Sequence, residues 1–134
     1  MKKEIHVVGA VIVRDGKILC CQRGPGKALS LMWEFPGGKI EAGETKIEAL
    51  ERELDEELKI TVKIEQEEFA FCRYEYEFGY VNLTTFICYL EQGEPELTEH
   101  LQAKWLDRDE LISLEWAPAD IPTVEKLQTT AIGG

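Results

Sequence analysis

The chain has 134 residues, 44% of them hydrophobic, and a formal net charge of −11. That length and apolar content suit one domain with a buried core, expected to span residues 1–134. The charge excludes a nucleic acid polymer as main partner, because duplex binding needs a basic face, and no apolar run approaches membrane length.

Met1-Lys2-Lys3-Glu4 leads directly into the strand-like segment Ile5–Val13 rather than into a signal-peptide core, so a cytoplasmic location is expected. Arg14-Asp15-Gly16-Lys17 is a hairpin turn into a second strand, Ile18–Arg23. Residues 24–33 form a loop ending at Trp33, the tryptophan placed to line a cleft. A short strand near Trp33–Phe35 then precedes Pro36-Gly37-Gly38, a turn whose glycines let the backbone approach a neighbour closely. The adjacent Cys20 and Cys21, and the distant Cys72 and Cys88, lack metal-ligand spacing and read as reduced thiols in or near the core.

The next segment carries the strongest signal. It reads Gly38-x5-Glu44-x7-Arg52-Glu53-Leu54-x-Glu56-Glu57-x-Lys59-Ile60. Thr45-Lys46-Ile47-Glu48 has the form of a capping box, and Ile47, Leu50, Leu54 and Leu58 recur at helical spacing. At ~100° per residue those four fall in a sector of roughly 80°, and Glu57 lies only ~20° beyond its edge. Glu53 and Glu56 follow, so the acids border the buried face. Three converging carboxylates repel unless a cation sits between them, and hard oxygen ligands suit Mg2+ or Mn2+. The plain alternative is a surface helix laced with ion pairs such as Glu48 to Arg52. Residues 41–57 hold eight acids against Lys46 and Arg52, too few bases for such lacing.

Beyond the helix, Thr61–Ile64 reads as extended, and Phe69–Phe78 and Tyr80–Glu91 as two long strands joined near Gly79. Ala103–Leu106 is a further short strand. Asp107–Leu114 and Asp120–Gln128 read as helices capped by their aspartates, and residues 129–134 as frayed. Strands with helices on either side predict an α/β fold or an α+β sandwich.

The spaced acids resemble the motif of Nudix hydrolases, G-x5-E-x7-R-E-U-x-E-E-x-G-U with U aliphatic, at every fixed position except the last glycine, here Lys59. Glu34-Phe35-Pro36-Gly37-Gly38-Lys39, Glu99-His100 ahead of Trp105, and Ala117 to Pro122 extend the likeness over roughly residues 4 to 128. They are similar to mutator-type nucleoside triphosphate pyrophosphohydrolases, and most of all to the CTP-hydrolysing branch.

The resemblance implies an α/β/α sandwich with a mixed β-sheet and a catalytic loop-helix-loop. It implies Mg2+-dependent hydrolysis (Mn2+ as substitute) of a nucleoside triphosphate to monophosphate and pyrophosphate, by a monomer or weak homodimer. On it, Glu53, Glu56, Glu57 and Glu99 with the Gly37 or Gly38 carbonyl are metal ligands, and either Glu53 or Glu99 is the base. Arg52 orients the glutamates and Glu44 does the same for the loop, while Arg23 and Lys39 are candidates for phosphate contact. Phe35 is either a stacking surface for the base or a buried strand residue. Asp120 is either a contact to the base edge or a plain helix cap, which leaves cytidine, 5-methylcytidine and 8-oxo-guanine nucleotides open. His6 and His100 read as structural or exposed. Two other functions stay in view: a non-hydrolysing nucleotide sensor on the same fold, and a hydrolase of another nucleoside diphosphate compound. Lys59, at a helix end where a left-handed residue is expected, predicts a cost in stability rather than in activity.

Overall fold

The computed structural model describes residues 2–132. Eight strands form one mixed sheet: β1 (Glu4–Arg14), β2 (Lys17–Arg23), β3 (Trp33–Glu34), β4 (Gly37–Lys39), β5 (Thr61–Ile64), β6 (Ala70–Tyr76), β7 (Gly79–Gln92) and β8 (His100–Leu106). The backbone order is β3-β2-β1-β7-β5, with β4 on β1, β6 on β7 and β8 on β2. β1 and β7 run parallel from Glu4 opposite Tyr80 to Val13 opposite Tyr89, and every other pairing is antiparallel.

β1 organises the molecule because both its faces are buried. Val8, Ala10 and Ile12 pack with Leu50, Leu54 and Leu58 of helix α1 (Lys46–Leu58). Val11 and Val13 point the other way, toward Leu111, Trp116, Val124 and Leu127, the last two from helix α2 (Ile121–Thr129). The strand period of two does this sorting. It also sends the neighbours Cys20 and Cys21 into opposite cores. The expected α/β/α sandwich results, with the sheet between α1 and α2.

The hairpin forms as predicted, with Asp15 (φ 52°) and Gly16 (φ 76°) both left-handed in the two-residue turn. The capping box is also present: Glu48 N–H donates to Thr45 Oγ1 at 3.1 Å, and Thr45 N–H to Glu48 Oε1 at 2.9 Å. Lys59 closes α1 in the left-handed region (φ 59°, ψ 41°), donating its N–H to the Asp55 carbonyl.

Several expectations need correction. Gly37–Lys39 is a strand, not a turn, because its backbone pairs with Val7–Gly9 of β1. The close approach predicted for these glycines does hold, since a Cβ on Gly37 would lie 1.9 Å from the Val8 carbonyl oxygen. The segment Arg108–Ser113 winds as a 3-10 helix rather than an α-helix, and a second 3-10 turn, Pro118–Asp120, precedes α2. β8 starts at His100, earlier than predicted, because it pairs with β2 along nearly its full length. Trp33 is buried in the α2-side core and takes no part in a cleft. Ile132 packs against that core, so the tail is not frayed through residue 132, while residues 133 and 134 lie outside the described part. The four cysteines are free, Cys72 standing opposite Leu83 and Cys88 opposite Ile64.

Candidate active site

The second edge of β1 is shared: β2 pairs at Val13–Arg14 and β4 at Val7–Gly9. Between them the Ala10 N–H donates to the Pro36 carbonyl at 2.8 Å. A cavity of about 580 Å3 opens here. Glu34 and Phe35 lie in its wall, which also carries Glu53, Glu57 and Glu99, the aromatic Tyr76 and Phe78, and Asp120.

The acidic group is set by Arg52. Its guanidinium donates to Glu44 twice (Nε to Oε2 2.6 Å, Nη2 to Oε1 2.9 Å), to Glu53 Oε1 at 2.7 Å, to Glu56 Oε1 at 3.2 Å and to the Lys39 carbonyl at 3.0 Å. One planar fork thus joins β4, the loop and α1, as its five fixed donors permit. The Arg52 bonds, aided by the Glu41 N–H, hold the Glu44 carboxyl down at about 2. No Glu48–Arg52 pair forms; Glu48 is used in the cap.

Glu53 lies flat against β4. A Cβ on Gly38 would meet its Oε2 at 2.1 Å, so a larger residue there would push this carboxylate out of the position in which Arg52 holds it. Glu57, one turn on, is half-buried, with its Oε1 closed off from solvent. Thr98 Oγ1 donates to its backbone carbonyl at 2.6 Å and Glu96 N–H to the Leu58 carbonyl at 2.9 Å. These two bonds tack the chain before β8 onto the end of α1 and bring Glu99 beside Glu57. Burial pushes the Glu57 carboxyl up to about 8, and the charges of Glu53, Glu34 and Glu99 add to the shift.

The expected convergence of Glu53, Glu56 and Glu57 is met only in part. Glu53, Glu57 and Glu99 line the cavity, whereas Glu56 does not: Arg52 draws it out to a half-exposed position. Among the described residues, no three His, Cys, Asp or Glu side chains stand close enough to hold an ion together. The fit to a divalent ion rests on different ground. Glu57 Oε1 is buried with no hydrogen-bond partner, in a wall that also carries Glu34, Glu53 and Glu99. An all-oxygen donor set with an unsatisfied buried carboxylate suits a hard divalent cation.

Arg23 and Lys39 both line the cavity. Arg23 is already engaged, with Nη1 on Glu34 Oε1 at 2.9 Å and Nε on the Ala28 carbonyl at 2.7 Å. The His100 side chain is nearly enclosed and contributes to the cavity wall, its Nε2 2.8 Å from Glu34 Oε2. Burial works to raise the Glu34 carboxyl, but the His100 bond and the Arg23 charge outweigh it and leave it lowered.

Among the aromatic residues, Phe35 is buried and stacks on Trp116 with centroids 4.6 Å apart, while still contributing to the cavity wall. Tyr76 stacks on Phe78 at 5.0 Å and 5°. The Tyr76 hydroxyl accepts from the Ala119 N–H at 2.9 Å, fixing the tip of the β6–β7 hairpin to the turn before α2. Asp120 does not cap α2 with its side chain; its Oδ1 accepts the Phe35 N–H at 3.1 Å. That removes the plain-cap alternative. Burial, and then the Glu34 charge, raise its carboxyl well above the ordinary range. His6 lies in β1, paired with Asn82 of β7, outside the cavity.

Sequence reasoning missed Glu34, Tyr76 and Phe78 as wall residues. Glu34 sits inside the Glu34–Lys39 run, and the alternation Tyr74-x-Tyr76-x-Phe78 puts aromatics on one strand face, so the chain itself carries both signals.

The NUDIX domain model matches residues 3–127. A CTP pyrophosphohydrolase of Escherichia coli (strain K12) is 38% identical over 123 residues, covering 92% of this chain and 90% of its own length. An 8-oxo-dGTP diphosphatase of Haemophilus influenzae is 33% identical over 129 residues, covering 95% and 94%. The solution structure of the MutT protein of the Nudix hydrolase family from methicillin-resistant Staphylococcus aureus superposes with a TM-score of 0.79 at 51% identity, covering 96% of this chain and 98% of its own.

Proposed function

The chain belongs to the Nudix domain family, and from that premise we propose that it is a Mg2+-dependent nucleoside triphosphate pyrophosphohydrolase acting as a single domain. The activity at the coarser level, a nucleotide pyrophosphohydrolase, is common to the relatives named above. The observation that carries the finer reading is that one cavity wall holds both a carboxylate group, Glu53, Glu57 and Glu99, and an aromatic group with buried Asp120. A nucleotide calls for both, with phosphates at one end and a flat heterocycle at the other.

Glu53, Glu57 and Glu99 with the Gly37 or Gly38 carbonyl would hold the ion, and Glu56 would join on release from Arg52. Bound there, a divalent cation would neutralise phosphate charge and lower the pKa of water. The remaining work falls to the chain. Arg52 keeps Glu53 and the loop in register, and Glu53 or Glu99 takes the proton of the attacking water. Lys39 reaches the phosphates. Mn2+ is the natural substitute, being hard and octahedral.

Asp120 supports a choice among bases. A neutral carboxyl donates through its O–H as well as accepting, whereas an ionised one only accepts. Beside the Phe35 ring and the Tyr76–Phe78 stack, this carboxyl would meet the edge of a stacked base, with cytidine, 5-methylcytidine and 8-oxo-guanine nucleotides as the leading set. No described helix is long and apolar enough to cross a membrane.

The test is a panel of nucleoside triphosphates, oxidised and methylated bases included, incubated with Mg2+ and coupled to a pyrophosphatase. Release of monophosphate plus pyrophosphate from members of that set is expected. No hydrolysis of any of them would end the reading.

A further inference from the structure

The loop between β2 and β3 carries a lysine that neither the family motif nor the site residues above account for. Lys27, Ala28 and Leu29 form part of the cavity wall. Lys27 Nζ donates to the main-chain carbonyl of Glu99 at 3.2 Å. That bond places an ammonium group at the backbone of Glu99, in the wall that also carries Glu53 and Glu57. Its partner is a neutral carbonyl, so the positive charge is not cancelled, and two of the three N–H donors stay available. Arg23, by contrast, has its charge matched by Glu34.

The backbone around Lys27 is built to hold this position. Leu29 (φ 57°) and Leu31 (φ 64°) are both left-handed, a conformation that branched apolar side chains rarely adopt. They stay there because the loop is fastened at several points. Arg23 Nε donates to the Ala28 carbonyl at 2.7 Å, Met32 N–H to the Leu29 carbonyl at 3.1 Å, and Gln22 Nε2 to the Leu31 carbonyl at 3.0 Å. Two strained leucines in one short loop are retained when the surrounding structure over-determines them, and such strain gathers at ligand-binding segments.

We propose that Lys27 receives the leaving pyrophosphate portion of the substrate, exchanging the Glu99 carbonyl for phosphate oxygens. This rests on the function proposed above and deepens it: a substrate with two phosphates beyond the cleaved bond gains a contact that a shorter one lacks. With the base at Phe35 and Asp120 and the cleaved bond at the carboxylates, the terminal phosphates extend toward Glu99 and the loop over it. The cavity wall is otherwise rich in acids (Glu34, Glu41, Glu53, Glu57, Glu99), so an unmatched cation there selects for an anionic end group.

The experiment is calorimetric titration of pyrophosphate in millimolar magnesium into the full chain, its Lys27→Ala and Lys27→Arg variants, and Lys17→Ala as a surface-lysine control. Nucleoside monophosphate is titrated in parallel. Loss of one charge-assisted contact predicts about tenfold weaker pyrophosphate binding in Lys27→Ala. Monophosphate binding should be unchanged, Lys27→Arg should restore most of the loss, and Lys17→Ala should match the parent. Unchanged pyrophosphate affinity in Lys27→Ala overturns the proposal. So does an equal loss for both ligands, which would mark a loop distortion, or a parent protein that takes up no pyrophosphate. Failure of the parent to hydrolyse any triphosphate would instead defeat the proposed function, while the titration still reports on Lys27.

Discussion

Arg52 and Glu44 meet fork to fork, two hydrogen bonds of 2.6 and 2.9 Å across eight residues of sequence. The same guanidinium holds Glu53, Glu56 and the Lys39 carbonyl. Lysine has no planar fork, so Arg52→Lys is not conservative here. Turnover of that variant is expected to fall by roughly 10²-fold, the scale of a misplaced catalytic constellation, with helix content unchanged by circular dichroism.

The same pair sets an acid limit. The folded Glu44 carboxyl titrates near 2 against an ordinary 4.5, so its folded pKa is depressed. Its stabilisation is therefore present above pH 4.5 and is lost as pH falls toward 2. Glu44→Gln should lower the melting temperature near neutrality and flatten its decline across that acid window. Parallel acid limbs for parent and variant would contradict the assignment.

Glu57 predicts the opposite sign. Its carboxyl is raised from 4.5 to about 8 in the folded chain. A raised group favours the fold fully below pH 4.5, and that contribution disappears as pH climbs through 8. Metal-free protein should thus lose stability over this range, and Glu57→Gln should not. Magnesium uptake near pH 7 should release a proton, detected as a dependence of binding enthalpy on buffer ionisation heat, and the release should vanish above pH 9.

Glu53→Gln removes the carboxylate that lies against Gly38. A loss in kcat of about 10²-fold or more is expected for a missing acid–base group. Near-parental turnover would move the proton transfer to Glu99.

Asp120→Asn keeps an acceptor for the Phe35 N–H but changes what the side chain offers the base. The ratio of kcat/KM between cytidine and 8-oxo-guanine triphosphates should shift by at least about tenfold, with the Mg2+ dependence unaltered. An unchanged ratio would reduce Asp120 to a fastening for Phe35.

Lys59→Gly relieves a left-handed residue at the end of α1. A gain of about 1 kcal/mol, or roughly 4 °C in Tm, is expected with turnover unchanged.

Much of this site is legible in the amino-acid sequence. Helix α1, its capping box and the close approach at the two glycines follow from spacing, because local geometry determines them, whereas the orienting role of Arg52 is implied only by the family resemblance. Non-local partners are not legible in that way. The strand at Gly37–Lys39 has no β-forming residues and exists because the Val7–Gly9 backbone lies alongside. Asp120 occupies a cap position in sequence, but the amide it satisfies is 85 residues away. The alternation at Tyr76 and Phe78 shows a shared face, but that this face lines the cavity depends on the pairing of β6 with β7.

Trp33 ties the molecule together through its main chain: its N–H reaches the Glu115 carbonyl at 2.8 Å, and its own carbonyl receives the Ala117 N–H at 2.9 Å. The stretch bearing Glu34 and Phe35 is consequently laced to a single distant segment, Glu115 to Ala117, by groups that every amino acid except proline possesses. Side chains facing the heterocycle can therefore be exchanged while the lacing, and the separate guanidinium clamp, remain intact. A scaffold wired in this way can diversify its preferred base without reinventing how it cuts.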